Sequence, residues 1–331
     1  MTGFLHDKKQ NIDELVARGL HIAVVIPCYN VKAFISQVIR GIPNYVQSVI
    51  VVNDASKDGT DQVLSSIIDE RVVVIQLEVN NGVGGAVLSG YKKAEALGAD
   101  IIVKMDGDGQ MNPMYLPDLL FPIIEKKANY TKGNRFLHSK ELRSMPFVRR
   151  VGNLGLSFLT KLASGYWNVF DPTNGFTALD TTVLSSINPE NIDRRYYFET
   201  SLLVELGLRR SVVQDVYIPA CYGEEKSSLS TLHSFVNFPW KLTISLIRRL
   251  LYVYFVRDFS MVSLFLISGS AAIVFGTAWG LWHWVDGINK NLEASTGTVM
   301  IAVLPLIIGI QLLLQAVVMD IQNVPTQVLG E

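Results

Sequence analysis

The sequence predicts an α/β domain built on a mostly parallel sheet, followed by an interfacial helix and a two-helix transmembrane hairpin. Three observations carry this expectation. Short apolar, β-rich runs alternate with helical stretches through about the first two thirds of the chain. Polar residues collect just after several of those runs. Two long segments near the C-terminus contain no Asp, Glu, Lys or Arg.

The apolar runs are IAVVIP (22–27), SVIVVN (48–53), VVVIQL (72–77) and DIIVKM (100–105). Between them KAFISQVIRG, TDQVLSSIID and GAVLSGYKKAEALG place apolar residues at helical spacing. Strand–helix alternation of this kind implies parallel pairing with helices on both faces. Ligands of such sheets bind beyond the carboxyl ends of the strands, so polar residues following the strands are the candidate site. The expected catalytic domain covers residues 1–232.

Met261–Val285 and Thr296–Met319 are the uncharged segments. Each exceeds the ~20 residues a helix needs to cross the hydrocarbon core. With the short linker DGINKNLEAS they predict a hairpin over 260–320, spans at about 261–285 and 296–319, and a short tail over 321–331. Lys241, Arg248, Arg249 and Arg257 precede the first span, against Lys290 alone in the linker. That bias places the large domain in the cytoplasm. Residues 233–259 mix apolar and aromatic side chains with arginines, the composition of a helix lying among lipid headgroups; an ordinary core helix is the alternative. Ser268, Ala272, Gly276 and Gly280 form a small-residue stripe that suits either the partner helix or another subunit. A homo-oligomer through the membrane and juxtamembrane helices is therefore also expected to be accessible.

Composition narrows the function classes. The 331 residues carry 29 basic and 30 acidic side chains, a net charge of -1, which gives no broad electrostatic case for nucleic-acid binding. Cys28 and Cys221 are the only cysteines, without CxxC spacing, so neither a zinc site nor a disulfide framework is indicated. Hydrophobic residues make up 49% and mean hydropathy is +0.28, the excess lying toward the C-terminus. The opening MTGFLHDKKQNIDELVARG is polar and charged, and does not read as a signal peptide.

The strand ends supply the chemistry. PCYN follows the first run and NDASKDGT the second. Asp54 reads equally as an acceptor for a base or ribose and as a turn or helix cap; Asp58 and Thr60 read as caps. NNGVGGA after the third run could turn helix-start amides toward a phosphate, although it lacks the P-loop lysine and dinucleotide spacing. The fourth run ends in DGDGQ. In extended geometry Asp106, Asp108 and Gln110 would share a face and fit one hard cation, Mg²⁺ or Mn²⁺. A calcium loop is excluded because its twelfth position would be Pro117. A solvated turn is the plain alternative.

PCYN, NDASKDGT, NNGVGGA and the DxD within DGDGQ, in this order, resemble the glycosyltransferase family 2 catalytic domain of the GT-A fold. GNRF (133–136), VRRVGN (148–153), DPTNGF (171–176), RYYFET (195–200) and YGEEKSSL (222–229) look like its polyprenyl-phosphate branch. The resemblance implies an inverting, metal-dependent transfer of a hexose from a nucleotide-diphosphate sugar to a polyprenyl or dolichyl phosphate. It implies that Pro27, Tyr29, Asn30 and Asp54 form the nucleotide pocket, that Asp106 holds ribose or diphosphate, and that Asp108 and Gln110 hold Mg²⁺ or Mn²⁺. Arg135, Arg149 and Asn153 would take the acceptor phosphate, Lys226 would sit by the donor diphosphate, and Asp171 would lie near the reacting centre as base or positioner. Two departures are visible: Val31 stands where many relatives have Glu, and Tyr222 and Gly223 precede Lys226 where mannose synthases usually carry an arginine-bearing loop. The second departure turns the donor expectation toward UDP-glucose, with GDP-mannose the other possibility; a bacterial plasma membrane is expected rather than the endoplasmic reticulum. The QxxRW motif of processive synthases is missing; QVIRG (37–41) comes far too early and lacks Trp. Transfer to a glycolipid hydroxyl and a non-catalytic nucleotide-sugar-binding scaffold are the competing readings.

Overall fold

A computed structural model describes residues 12–135, 147–219 and 231–329. Side chains are described within these ranges except at 147–151, 153 and 231–237. The chain forms two compact units, one of residues 1–246 with 325–331 and the other of 247–324.

The first unit is built on a seven-stranded sheet in the order β3-β2-β1-β4-β6-β5-β7. Its strands are β1 (Ile22–Cys28), β2 (Ser48–Asn53), β3 (Val72–Gln76), β4 (Ile101–Lys104), β5 (Tyr130–Asn134), β6 (Thr177–Asp180) and β7 (Val213–Tyr217). The first four coincide with the four apolar runs. β1 pairs in parallel with β2 and β4, β2 with β3, and β5 with β7; β6 runs antiparallel to both neighbours, β4 and β5. Six strands therefore point one way and β6 returns between them.

The helices follow the strands: α1 (Ile35–Arg40), α2 (Thr60–Ser65), α3 (Gly82–Ala96), α4 (Leu116–Ile124), α5 (Phe147–Ser164) and α6 (Phe198–Arg209). Strand alternation sends β1 side chains to two different partners. Ile22, Val24 and Ile26 join Ile35, Ile39, Leu116 and Leu119 in the main core, on the side of α1 and α4. Val25 points the other way, onto α3, where Gly90 leaves room for it. The sheet is thus covered on both faces, as strands buried on both sides require.

Helix α7 (Thr231–Leu251) continues through a π-helical turn, Tyr252–Arg257. Leu242, with Phe238 and Leu246, packs against Ala163 and Tyr197 of the first unit. Trp240, Ile244, Ile247 and Leu251, spaced four, three and four residues apart, are all exposed and form one apolar stripe.

The second unit contains α8 (Met261–Lys290) and α9 (Thr296–Gln322). Both are long and apolar enough to cross a membrane, and only 22% and 17% of their most apolar windows are buried. Helices so exposed are not core helices of a soluble domain. α8 extends beyond its uncharged run, and in the added turn Asp286 and Lys290 pair at 2.9 Å. It stops at Asn291, in the left-handed region at φ 47°. The helices run antiparallel, with Gly269 against Gly309 and Gly276 against Ala302. Part of the expected stripe thus serves the partner helix, while Ser268 is exposed and Gly269 occupies the contact instead. At the open end Asp320 accepts from Arg249 Nη1 at 2.8 Å and Nη2 at 3.0 Å, and from the Tyr254 hydroxyl at 2.5 Å.

Candidate active site

The carboxyl ends of β1, β2, β4, β5 and β7 lie along one edge of the sheet. Because β6 is antiparallel, it begins at that same edge: Thr177 pairs with Lys104 on one side and Lys132 on the other. The DPTNGF loop leading into β6 is thereby delivered among the strand ends.

The first two turns are fastened together. Asn30, at φ 56°, donates its backbone N–H to Ser56 Oγ at 3.0 Å and accepts from Lys57 N at 2.8 Å. Lys32 N donates to Asp58 Oδ2 at 3.0 Å and Val31 N to Thr60 Oγ1 at 3.1 Å. Asp58 also accepts from the backbone and hydroxyl of Thr60, which makes a turn ahead of the helix Thr60–Ser65; the N-cap itself is Gly59, so neither Asp58 nor Thr60 is the cap expected of it. Pro27 is half-buried at the end of β1, and Tyr29 stands exposed beyond it.

Asp54 is buried, and its two oxygens accept from Asn81 N at 2.7 Å and Gly82 N at 2.9 Å. In this arrangement its carboxylate caps the start of α3. Gly85 N donates to Arg194 O at 3.0 Å. The amides of Asn81, Gly82 and Gly85 are therefore committed within the protein, which corrects the expectation that the NNGVGGA turn offers them to a phosphate. The glycines answer a packing need instead. Gly82 sits at φ +80°, and a Cβ there would lie 2.9 Å from Arg195 Cγ.

DGDGQ departs from the extended geometry expected of it. β4 ends at Lys104, and Asp106 to Gln110 form a turn in which Gly109 has φ 77°. Alternation thus has no hold on these three side chains. The turn brings Gln110 N to Asp108 Oδ1 at 3.0 Å. Asp106 is held separately, its Oδ1 2.8 Å from Lys104 Nζ. Asp108 is half-buried and Gln110 exposed. Among the described residues no three His, Cys, Asp or Glu side chains form a metal cage. The oxygen donors of Asp108 and Gln110 suit a hard ion that completes its shell with water and phosphate oxygens.

Behind the turn lies a polar row that the sequence did not disclose. Lys104, Thr177, Lys132 and Asp215 occupy one register across β4, β6, β5 and β7. Paired residues share a face, so four polar groups line up inside the domain. Lys104 Nζ also meets Glu199 Oε1 at 3.1 Å, and Lys132 Nζ donates to Asn174 O. Burial draws the Lys132 ammonium down to about 8, against the pull of Glu199 and Asp171. Asp215 accepts from Asn134 Nδ2 at 2.9 Å and Phe170 N at 2.8 Å. Burial nevertheless raises it from 3.8 to about 6. A lysine inside an otherwise apolar strand was the available signal, since a buried ammonium must be partnered.

The Asp215 shift sets a stability expectation. Its folded-state value lies above the unfolded one, so its contribution is complete below about pH 4 and is lost as pH rises through about 6. Two units correspond to roughly 3 kcal/mol. Asp215→Asn should remove most of this fall, measured as urea-unfolding free energy from pH 4 to 7. An unchanged slope in the variant would contradict the assignment.

Arg135 and Asp171 meet at the mouth of the row. Asp171 is fully buried, and it accepts from Arg135 Nε at 2.7 Å and Nη2 at 3.1 Å in a two-pronged pair. Thr173 Oγ1 adds a contact to Asp171 at 3.3 Å. Arg149 and Asn153 fall on α5, but their side chains, like Lys226, lie outside the described residues.

Comparison with known proteins places this edge in a family. The model described as Glycosyl transferase family 2 matches residues 23–187, spanning β1 to β6. The UDP-N-acetylglucosamine–dolichyl-phosphate N-acetylglucosaminyltransferase of Methanococcus voltae is 33% identical over 225 residues, covering 63% of this chain and 89% of that protein. The chain belongs to glycosyl transferase family 2. An undecaprenyl-phosphate mannosyltransferase of Micrococcus luteus is 27% identical over 217 residues, covering 63% of this chain and 88% of its own. Among solved structures, glucosyl-3-phosphoglycerate synthase of Mycobacterium tuberculosis, in complex with Mn²⁺, UDP and glucosyl-3-phosphoglycerate, aligns with a TM-score of 0.52 at 21% identity. That match covers 72% of this chain and 82% of the synthase, and speaks for the fold.

Proposed function

We propose that this family 2 protein is an inverting hexosyltransferase, moving a sugar from a nucleotide diphosphate to a membrane polyprenyl phosphate. The observation that carries it is the juxtaposition, at one sheet edge, of the DGDGQ turn with the Arg135–Asp171 pair. Relatives named for dolichyl- and undecaprenyl-phosphate acceptors support the acceptor class. The exposed stripe on α7 and the apolar α8 and α9 support a membrane location, with the expected domains at 1–232, 233–259 and 260–320.

In this proposal Pro27, Tyr29 and Asn30 border the nucleotide, with Asp54 supporting the pocket through its cap on the neighbouring turn. Asp106 accepts from the ribose or adjoins the diphosphate. Asp108 and Gln110 would hold Mg²⁺ or Mn²⁺, which when bound would offset the charge on the departing diphosphate. Arg135, Arg149 and Asn153 orient the acceptor phosphate, and Lys226 attends the donor diphosphate. The acceptor oxygen forms a bond to the anomeric carbon as the carbon–oxygen bond to the diphosphate breaks, with inversion. A phosphate monoester has a second pKa of roughly 6, so the nucleophile is already largely ionised near neutrality. Asp171, with both oxygens on Arg135, serves positioning better than proton removal.

UDP-glucose remains the proposed donor, and the relative named for UDP-N-acetylglucosamine makes that sugar its first rival. The full chain in detergent, given polyprenyl phosphate, Mn²⁺ or Mg²⁺ and a panel of UDP- and GDP-sugars, should yield one glycosyl polyprenyl phosphate. Product formed only on a glycolipid hydroxyl, or nucleotide binding without turnover, would overturn the proposal.

A further inference from the structure

Lys104 is the last residue of β4, and its ammonium is 1% exposed. Burying an ammonium is costly unless carboxylates surround it. Here there are two: Asp106 Oδ1 at 2.8 Å and Glu199 Oε1 at 3.1 Å. On its other side Gly175 leaves room for the carboxylate, since a Cβ there would come within 2.9 Å of Oδ2, and the Asp106 backbone N–H is turned toward Met111 Sδ at 3.2 Å. The carboxylate is thus gripped by Lys104 through one oxygen, while the side chain remains 31% exposed.

Glu199 is well placed to anchor that grip. It lies in the first turn of α6, with its side chain only 14% exposed. The segment just before it is fastened elsewhere: Arg194 O receives Gly85 N at 3.0 Å, Asp193 pairs with Lys241, and Tyr197 Oη meets Ser245 Oγ at 3.0 Å. The Lys104 ammonium is therefore suspended between a rigid helix start and the half-exposed Asp106.

We infer that Lys104, anchored by Glu199, is a positioning residue that sets the Asp106 carboxylate for the nucleotide sugar. This rests on the proposed donor role of the DGDGQ turn. Loss of the ammonium leaves Asp106 and Glu199 as two carboxylates without the cation between them. Asp106 then loses the contact that fixes it and turns away from the donor, which weakens donor binding before it alters acceptor binding.

The test compares wild type, Lys104→Met, Lys104→Arg and Glu199→Gln as full chains in detergent. It measures donor KM, kcat, acceptor KM, thermal midpoint, and calorimetric binding of UDP and GDP with Mn²⁺. Lys104→Met should raise donor KM and weaken nucleotide binding by about 10- to 100-fold, with acceptor KM within about twofold. Lys104→Arg should recover part of the loss, and Glu199→Gln should fall between wild type and Lys104→Met. A folded Lys104→Met with wild-type donor KM and nucleotide affinity overturns the inference. If that variant unfolds, a folded Glu199→Gln with wild-type values overturns it instead. Wild type that binds nucleotide without transferring sugar defeats the proposed reaction alone, and the variants are then judged on nucleotide affinity. Wild type that binds neither nucleotide defeats both.

Discussion

Asp108→Ala is expected to reduce sugar transfer by more than about a hundredfold while the protein stays folded and membrane-inserted. The magnitude follows from its proposed place as a metal ligand, since even outer partners of metal sites are worth ~10–100-fold. Folding should be spared because Asp108 sits on a half-exposed turn and accepts from the nearby Gln110 N. Gln110→Ala should weaken the metal less, because an amide brings no charge to the ion. Initial rates over a Mn²⁺ titration, alongside thermal melts of both variants, separate lost metal affinity from lost structure. Turnover of Asp108→Ala within a few-fold of wild type would remove the metal role.

What was legible in the sequence, and what was not, divides along the sheet. β1 to β4 are strongly apolar runs closed by polar turns, so composition alone locates them nearly to the residue. β5 and the edge strand β7, with the sequences YTKGN and VQDVY, carry Lys132 and Asp215 of the polar row and lack the apolar run that marks β1 to β4. Their role becomes plain only when register places Lys132 beside Asp215 and Thr177. The same limit applies to Glu199, 95 residues from Lys104 in sequence and 3.1 Å from it in space. DGDGQ was found for its composition, yet the extended geometry assumed for it was wrong. The strand stops at Lys104, so the alternation it would impose does not reach Asp106, Asp108 and Gln110. Asp54 carried two readings, and its buried cap on α3 became visible only once the NNGVGGA turn was packed against residues 193–195.

The Arg135–Asp171 pair carries the other large expectation. Arg135→Ala should lower stability by about 3–5 kcal/mol, the range for removing one partner of a buried ion pair. Asp171 is fully buried, whereas the Arg135 side chain is 36% exposed, so the cost falls chiefly on the stranded carboxylate. Asp171→Asn should cost less, because the amide keeps the shape and one acceptor oxygen. The two variants also separate a base from a positioner. If Asp171 holds Arg135 for the acceptor phosphate, Asp171→Asn raises acceptor KM and lowers kcat modestly. A base would show the reverse, a steep loss of kcat with acceptor KM preserved. Because Asp171→Asn removes the carboxylate that Arg135→Ala strands, the double variant Arg135→Ala/Asp171→Asn should recover stability relative to Arg135→Ala yet regain no acceptor affinity. From Arg135→Ala to the double variant, stability should therefore rise while acceptor affinity stays low. Recovery of both together would make Arg135 a structural partner of Asp171 and leave the acceptor phosphate to other side chains.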